Sequence, residues 1–323
     1  MDLSAIYKPI QREMAQVEAR LSEELCADEQ PLAQLTAHVA AYKGKRIRPA
    51  LVLFSGRCMG EISNEHIELA VAMELIHTAT LVHDDILDEA SLRRNSPTVN
   101  IKWGPDVAVM LGDYLLAQAF SLIAAFKSPE ATRDLLRTTM TMCQGEIHQL
   151  HRRYVLDLGE AEYLQIIERK TAALCSACCR LGALCSESPN GFAEDLARYG
   201  ANVGIAFQIV DDCLDITGKE DKVGKTLYTD LVKGKLTLPV IRLVGLIPEK
   251  NRPDLTRTLF AKSAREAIAE LLPLLEKQGA FEYARARATE HVQEAKRHLH
   301  RLTDSVFKHG LMALADYVIE RER

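Results

Sequence analysis

Apolar positions along the chain recur with the period of an α-helix, as at Leu69, Ala72, Met73, Ile76 and Ala79, which share one helical face. Residues 50–96 and 130–188 contain no proline and are rich in Ala, Leu, Met, Glu and Arg, with few of the β-branched and aromatic runs that strands prefer. Turn-forming residues gather at Lys43-Gly44, Asn95-Ser96-Pro97, Gly104-Pro105, Ser128-Pro129, Ser188-Pro189-Asn190-Gly191 and Ile247-Pro248. This pattern predicts ten or so helices joined by short loops, with no low-complexity linker between them. The expected fold class is all-α: one domain over residues 1–323, built as a single large helical bundle.

Composition narrows the function. Of 323 residues, 47% are hydrophobic and 26% charged, which suits a globular chain. Lys and Arg number 40 against 45 Asp and Glu, a net charge of −5 that gives a nucleic-acid partner no general attraction. The longest uncharged runs, Tyr114 to Phe126 and Tyr199 to Val210, fall short of the roughly 18 apolar residues of a membrane span, so no transmembrane segment is expected. The start, Met1-Asp2-Leu3-Ser4, lacks the basic and apolar regions of a secretory signal, and the expected setting is cytoplasmic. Eight cysteines include the cluster Cys175, Cys178, Cys179, Cys185, but no second knuckle follows to complete a zinc site, and these read as small buried residues of a helix.

Chemistry enters with two copies of Asp-Asp-x-x-Asp, Asp84-Asp85-Ile86-Leu87-Asp88 and Asp211-Asp212-Cys213-Leu214-Asp215, each behind an apolar run. On a helix the first and last aspartates of each lie one turn apart on one face, with the middle one about 100° round. A single acidic pentad usually marks a solvated helix face. Two, each closing a buried-looking helix, point to carboxylates that converge, and converging carboxylates repel unless cations lie between them. Hard oxygen donors suit Mg²⁺, which is commonly shared with substrate phosphates. Positive charge is at hand in Gly44-Lys45-Arg46-Ile47-Arg48-Pro49, in Arg93-Arg94, and in Lys170, Lys225, Lys233 and Lys235. The chemical reading is a magnesium–diphosphate site.

From Lys43 to Pro239 the chain resembles the trans-isoprenyl diphosphate synthases, the polyprenyl synthetase family, with its motifs in family order. They are Gly44 to Pro49, His77, His83 to Asp88, Arg93-Arg94, Gly112-Asp113, Gln144-Gly145-Glu146, Lys170-Thr171, Phe207-Gln208, Asp211 to Asp215, and Gly234-Lys235-Leu236-Thr237-Leu238-Pro239. Looser similarity continues to Leu314-Ala315-Asp316-Tyr317-Val318. The resemblance implies an isoprenoid synthase type I fold with a central elongated cavity, and a homodimer. It implies that Asp84, Asp85, Asp88, Asp211, Asp212 and Asp215 hold Mg²⁺, three ions per site with substrate bound. Arg93, Lys170, Lys225 and Lys235 would contact the allylic diphosphate, while Gly44, Lys45, Arg48, His77 and Arg94 would take isopentenyl diphosphate. Thr171 and Gln208, with Lys170 as the catalytic group, would face the allylic cation. The implied reaction is successive alkylation of isopentenyl diphosphate, for a quinone side chain. Lys43 and Asn95 stand where the family usually has glycine, and so does Tyr228 in the stretch after Lys225.

Three other readings compete. A terpene cyclase would share one aspartate motif but would not need a second diphosphate site at Lys45, Arg48, His77 and Arg94. A non-catalytic partner subunit would have lost aspartates or basic ligands. A purely structural bundle would make every motif a coincidence. Product length should rest on Ala79 and Thr80, about one helical turn, or 5.4 Å, behind Asp84. A bulky aromatic there would floor the pocket beneath a short chain. Both are small, and the expectation is a long-chain product of about C40, with a short-chain farnesyl or geranylgeranyl product as the alternative.

Overall fold

The two longest helices are those that end in the aspartate motifs, α5 (Asn64–Leu87) and α11 (Phe192–Thr217). The computed structural model describes residues 2–42, 44–126, 128–186, 191–218, 229–248, 251–252, 255, 259–260 and 264–321. Lys43, Lys225 and Tyr228 lie outside the described residues. Around α5 and α11 stand α1 (Leu3–Tyr7), α2 (Gln11–Glu24), α3 (Leu32–Ala40), α4 (Ile47–Met59), α6 (Val99–Trp103), α7 (Pro105–Ala124), α8 (Pro129–His151), α9 (Glu160–Ile167) and α10 (Ala173–Leu184). The described chain continues with α12 (Thr229–Val232), α13 (Leu238–Leu246), α14 (Ala264–Lys277), α15 (Ala280–His298) and α16 (Val306–Glu320). Among the described residues sixteen helices stand where the pattern predicts ten or so; ten have twelve residues or more, and the six shorter ones are too brief for the periodicity to separate.

Local chemistry sets the boundaries. Ser63 caps α5 in a capping box with His66, whose ring Nδ1 accepts from the Ser63 N–H at 3.1 Å. Ser128 and Ser305 cap α8 and α16, and Pro105 and Pro129 occupy first-turn positions where no helical N–H is needed. The core lies where α5 packs on α7 and α4, and where α11 packs on α10 and α15. Phe54, Leu69, Met73, Ile76, Leu115 and Tyr199 are fully buried there. Cys175, Cys178 and Cys179 are free and buried in α10, their thiols pushed up by burial.

Two features correct or extend the sequence reading. α7 contains two charged residues, Asp106 and Asp113, in 20, and is long and apolar enough to cross a membrane by length and composition. The uncharged-run count missed it because Asp113 interrupts the run without making the helix polar. In the bundle α7 buries Leu111, Leu115, Ala119 and Ile123, while Val109 and Met110 face outward. The segment after Asp88 forms a small hairpin, Leu92–Arg93 pairing antiparallel with Ser96–Pro97. Arg94 and Asn95 turn it with φ of +50° and +63°. Asn tolerates that left-handed backbone better than most side chains, so the residue standing for a usual glycine still fits the turn.

Candidate active site

One end of the bundle opens into a cavity of about 530 Å³ in which both aspartate motifs meet. α5 contributes His77, Thr80, Leu81, Asp84 and Asp88; α11 contributes Phe207, Gln208, Asp211 and Asp212. Lys170 and Thr171 come from one turn of π-helix, Glu168–Ala172, inserted between α9 and α10. Such bulges re-aim side chains and are frequent at functional sites. Gly145 of α8 makes room for this turn: a Cβ there would stand 2.6 Å from the Lys170 amide nitrogen. Lys235 enters from the segment before α13, and Leu116, Met142, Ile147 and Leu174 form an apolar wall.

The six aspartates occupy different surroundings. Asp84 and Asp88 share the cavity-facing side of α5. Burial pushes Asp84 up, opposed by Lys170 and reinforced by Glu146 and Asp88. Its carboxylate makes no hydrogen bond or ion pair with the other described residues. Asp88 accepts from Lys235 Nζ at 2.7 and 2.8 Å and from Arg153 Nη2 at 3.1 Å. Burial would raise it, but Lys235, Lys170 and Arg153 outweigh burial and hold it below the usual range. Asp85 points elsewhere, 2% exposed and gripped by Arg93 through Nε and Nη2 at 2.6–3.1 Å. On α11 the cavity-facing pair is Asp211 and Asp212 rather than the first and last of the motif. Asp215 is buried beyond them and accepts from the Asp230 N–H at 3.4 Å.

A chain of hydrogen bonds fixes the groups beside Asp212. Thr171 Oγ1 donates to Gln208 Oε1 at 2.8 Å, Gln208 Nε2 donates to Asp212 Oδ1 at 2.7 Å, and Tyr163 OH donates to Asp212 Oδ2 at 2.7 Å. Because the Thr171 proton is committed to Gln208, its oxygen lone pairs are what it offers the cavity. Burial and the nearby Asp230 charge push Asp212 up to about 8 against the donors from Gln208 and Tyr163. Lys170 donates to Gln149 Oε1 at 2.9 Å and pairs with Glu146. Burial would lower it, but Asp84 and Glu146 raise it above its ordinary value, so it stays charged.

A second basic region adjoins the first. Arg48 and His77 line the cavity, and Arg48 Nε is buried without a hydrogen-bond partner among the described residues. Arg94 Nη1 donates to the Tyr42 carbonyl at 2.6 Å, and a Cβ at Gly44 would stand 2.9 Å from the same nitrogen. Lys45 Nζ sits 5.6 Å from the centre of the Tyr317 ring. His77 is held well below its ordinary value, by burial first and then by the charges of Arg48, Arg94, Arg93 and Arg46, so it is a neutral hydrogen-bonding group. Arg46 is committed to Glu18 and Glu74, at 2.6 and 2.7 Å, and steadies the region rather than facing the cavity.

Several contributors have no motif to reveal them. Tyr163 and Arg153 bind Asp212 and Asp88 from distant parts of the chain. Arg321 lies 3.7 Å over the Phe207 ring, donates to the Phe207 carbonyl at 2.6 Å and stands 3.5 Å from Asp211 Oδ1. Glu146 lies within a family motif, yet only the fold shows it paired with Lys170. Of the chain-length pair, Thr80 lines the cavity, while Ala79 is fully buried outside the lining.

Among the described residues no three His, Cys, Asp or Glu side chains are already gathered as a cation cage. The donors nonetheless fit a divalent cation shared with a phosphate ligand: Asp84 is half-buried on the cavity wall with no partner among the described residues, and Asp88, Asp211 and Asp212 line the same cavity. Of the second basic region only Arg48 and His77 reach the lining; Gly44, Lys45 and Arg94 do not. An all-α bundle whose polar-ended cavity brings together two carboxylate motifs and the cations Arg48, Arg93, Lys170 and Lys235 defines a diphosphate-handling enzyme of the isoprenoid synthase fold. The Polyprenyl synthetase family model matches residues 29–274, and the chain belongs to that family. Its activity is that of a trans-prenyltransferase. It is 36% identical over 296 residues to a short chain isoprenyl diphosphate synthase of Methanothermobacter thermautotrophicus, covering 90% of each chain. It is likewise 36% identical to heptaprenyl diphosphate synthase component 2 of Geobacillus stearothermophilus, covering all of both. A polyprenyl synthase of Caulobacter crescentus, solved with calcium and isoprenyl diphosphate, superposes with a TM-score of 0.95 at 30% identity, over 100% of this chain and 98% of that one.

Proposed function

We propose that this single-domain, magnesium-dependent enzyme condenses an allylic diphosphate with successive isopentenyl diphosphates to an all-trans product near C40, for a quinone side chain. The observation that carries the reading is one cavity lined by Asp84, Asp88, Asp211 and Asp212 together with Arg93, Lys170, Lys235 and Arg48, and by the apolar side chains of Leu116, Met142, Ile147 and Leu174. Asp84, Asp88, Asp211 and Asp212 would hold Mg²⁺, which supplies charge stabilisation for the departing diphosphate. Lys170, Lys235 and Arg93 donate to the allylic diphosphate, Lys225 completing that set. Arg48, Arg94, Lys45 and neutral His77 orient isopentenyl diphosphate so that its double bond faces the allylic carbon. The Thr171 oxygen, braced by Gln208, directs negative dipole towards the cation. The apolar wall keeps water from the cation until the new carbon–carbon bond forms and a proton is lost.

Small side chains at Ala79 and Thr80 favour the long product. A short-chain product is the second reading, favoured by a cavity whose lining reaches Thr80, Leu116, Thr139 and Met142 but none of Ile76, Phe120 or Leu135 one turn further on. A homodimer is part of the proposal, because α8 exposes Leu136, Met140, Cys143 and Ile147 as an apolar stripe. All eight cysteines are free thiols, in keeping with a reducing, cytoplasmic setting. Incubation with isopentenyl diphosphate, farnesyl diphosphate and Mg²⁺, followed by sizing of the products, tests the reading. Products of C30 or longer support it; arrest at C20 overturns the long-chain assignment, and turnover unaffected by exhaustive chelation overturns the metal dependence.

A further inference from the structure

We propose that Arg153 is a further cation of the allylic diphosphate subsite, acting beside Lys235. α8 ends at His151, and the chain turns through Arg152, Arg153 and Tyr154, the last at a φ of +63°. The Tyr154 N–H donates to the Gly234 carbonyl at 2.8 Å, and its ring occupies the place of a Gly234 side chain, where a Cβ would stand 2.5 Å from Cδ1. Gly234 itself has a φ of +68°, so it answers both demands. The Tyr154 ring also packs edge-on against Phe260, with centroids 5.4 Å apart. This interlock brings two cations to one carboxylate oxygen. Lys235 Nζ reaches Asp88 Oδ1 at 2.7 Å, and Arg153 Nη2 reaches it at 3.1 Å. Asp88 and Lys235 both line the cavity, so an anion held there comes within reach of the Arg153 guanidinium. Arg153 stands behind the lining, and among the described residues Asp88 is the one side chain that engages its guanidinium, through Nη2. The neighbouring Lys233 is instead drawn to Glu89 at 2.7 Å and makes no contact with Asp88 among the described residues. A fork of N–H donors beside a lysine ammonium suits the several oxygens of a diphosphate.

The proposal rests on placing Lys235 at the allylic diphosphate. The test uses the full chain with Arg153→Gln, Arg153→Lys and Lys235→Gln, and measures affinity for inorganic pyrophosphate with Mg²⁺ by calorimetry and KM for each substrate. Arg153→Gln should weaken pyrophosphate binding about tenfold, the loss expected for one charge-assisted hydrogen bond, and raise KM for the allylic substrate. KM for isopentenyl diphosphate should stay within about twofold, and Arg153→Lys should recover much of the loss because it keeps the charge. A residue that merely holds the Tyr154–Gly234 corner would lower the melting temperature and weaken both substrates alike. That pattern, or unchanged pyrophosphate affinity in Arg153→Gln, overturns the proposal. Unchanged affinity in Lys235→Gln removes the placement of Lys235 and the proposal with it; a loss in Lys235→Gln alone removes only the role of Arg153.

Discussion

At the scale of single residues, the same side chain serves different ends according to its partner. Asp84 and Asp85 are adjacent, yet Asp84 stands on the cavity wall with no partner among the described residues, while Asp85 is buried and paired with Arg93. Asp84→Asn and Asp211→Asn should therefore lower kcat by about a hundredfold or more, with the fold retained by circular dichroism. Arg93→Met should act differently: it leaves Asp85 buried without its cation and should cost about 3 kcal/mol of stability as well as activity, measurable by urea unfolding. Arg48→Gln should raise KM for isopentenyl diphosphate about tenfold, and KM for the allylic substrate far less, because a buried Arg48 donor stands ready beside His77. Equal increases would merge the two basic regions into one site. The acidic and basic motifs were legible in the sequence because local spacing on one helix or hairpin places them. Tyr163, Arg153 and Arg321 were not, since each reaches its aspartate across 49, 65 or 110 positions, and no local pattern records such a contact.

At the scale of elements, helices were legible from period and punctuation, whereas departures from regular helix were not. The π-turn at Glu168–Ala172 carries Lys170 and Thr171, and it depends on close approach to Gly145 on another helix. Periodicity within residues 160–184 cannot encode that approach, which lives in the packing of α8. Gly145→Val should push the turn away, with loss of activity exceeding the loss of stability, read by kcat against melting temperature. The start of α5 gives a pH-dependent counterpart. His66 accepts from the Ser63 N–H and lies 3.0 Å from Ser186 Oγ through its other nitrogen. Burial depresses its pKa, and Arg57 adds to this while Gly182 and Glu65 oppose it. A histidine depressed on folding binds its proton more readily when unfolded, so its contribution is present above the unfolded value near 6.5 and is lost as pH falls. The melting temperature should fall between pH 7.5 and 5, and His66→Gln should make that slope shallower. An unchanged slope would assign the pH dependence to other groups.

At the scale of the whole molecule, the cavity and the outer surface share two helices. α8 turns Met142 inward to the cavity and Met140 outward, 63% exposed, and α7 likewise carries Leu116 on the wall and Met110 outside. Cys143 and Ile147 belong to both, lining the cavity while standing on the exposed face. A second copy on that face would bury an apolar stripe and back the wall of the cavity at once. Met140→Glu should then shift the assembly towards monomer in sedimentation, and lower activity with it. The proposed control of product length lies on α5. Thr80 Oγ1 donates to the His77 carbonyl at 2.8 Å, and Thr139 Oγ1 on α8 donates to the Leu135 carbonyl at 3.0 Å. Both hydroxyls are thus tied back to their own helices, so threonines that look polar in the sequence add little polarity to a wall lined beside them by Leu116 and Met142. Thr80→Tyr should place a ring across this layer and shift products towards C15 and C20 while leaving the first condensation intact. Ala79→Tyr should do less to length and more to stability, because Ala79 is fully buried outside the cavity lining and an added ring there overpacks the core. Chromatography of the products with melting curves separates the two outcomes. If Ala79→Tyr shortens the product and Thr80→Tyr does not, the growing chain passes on the other side of α5.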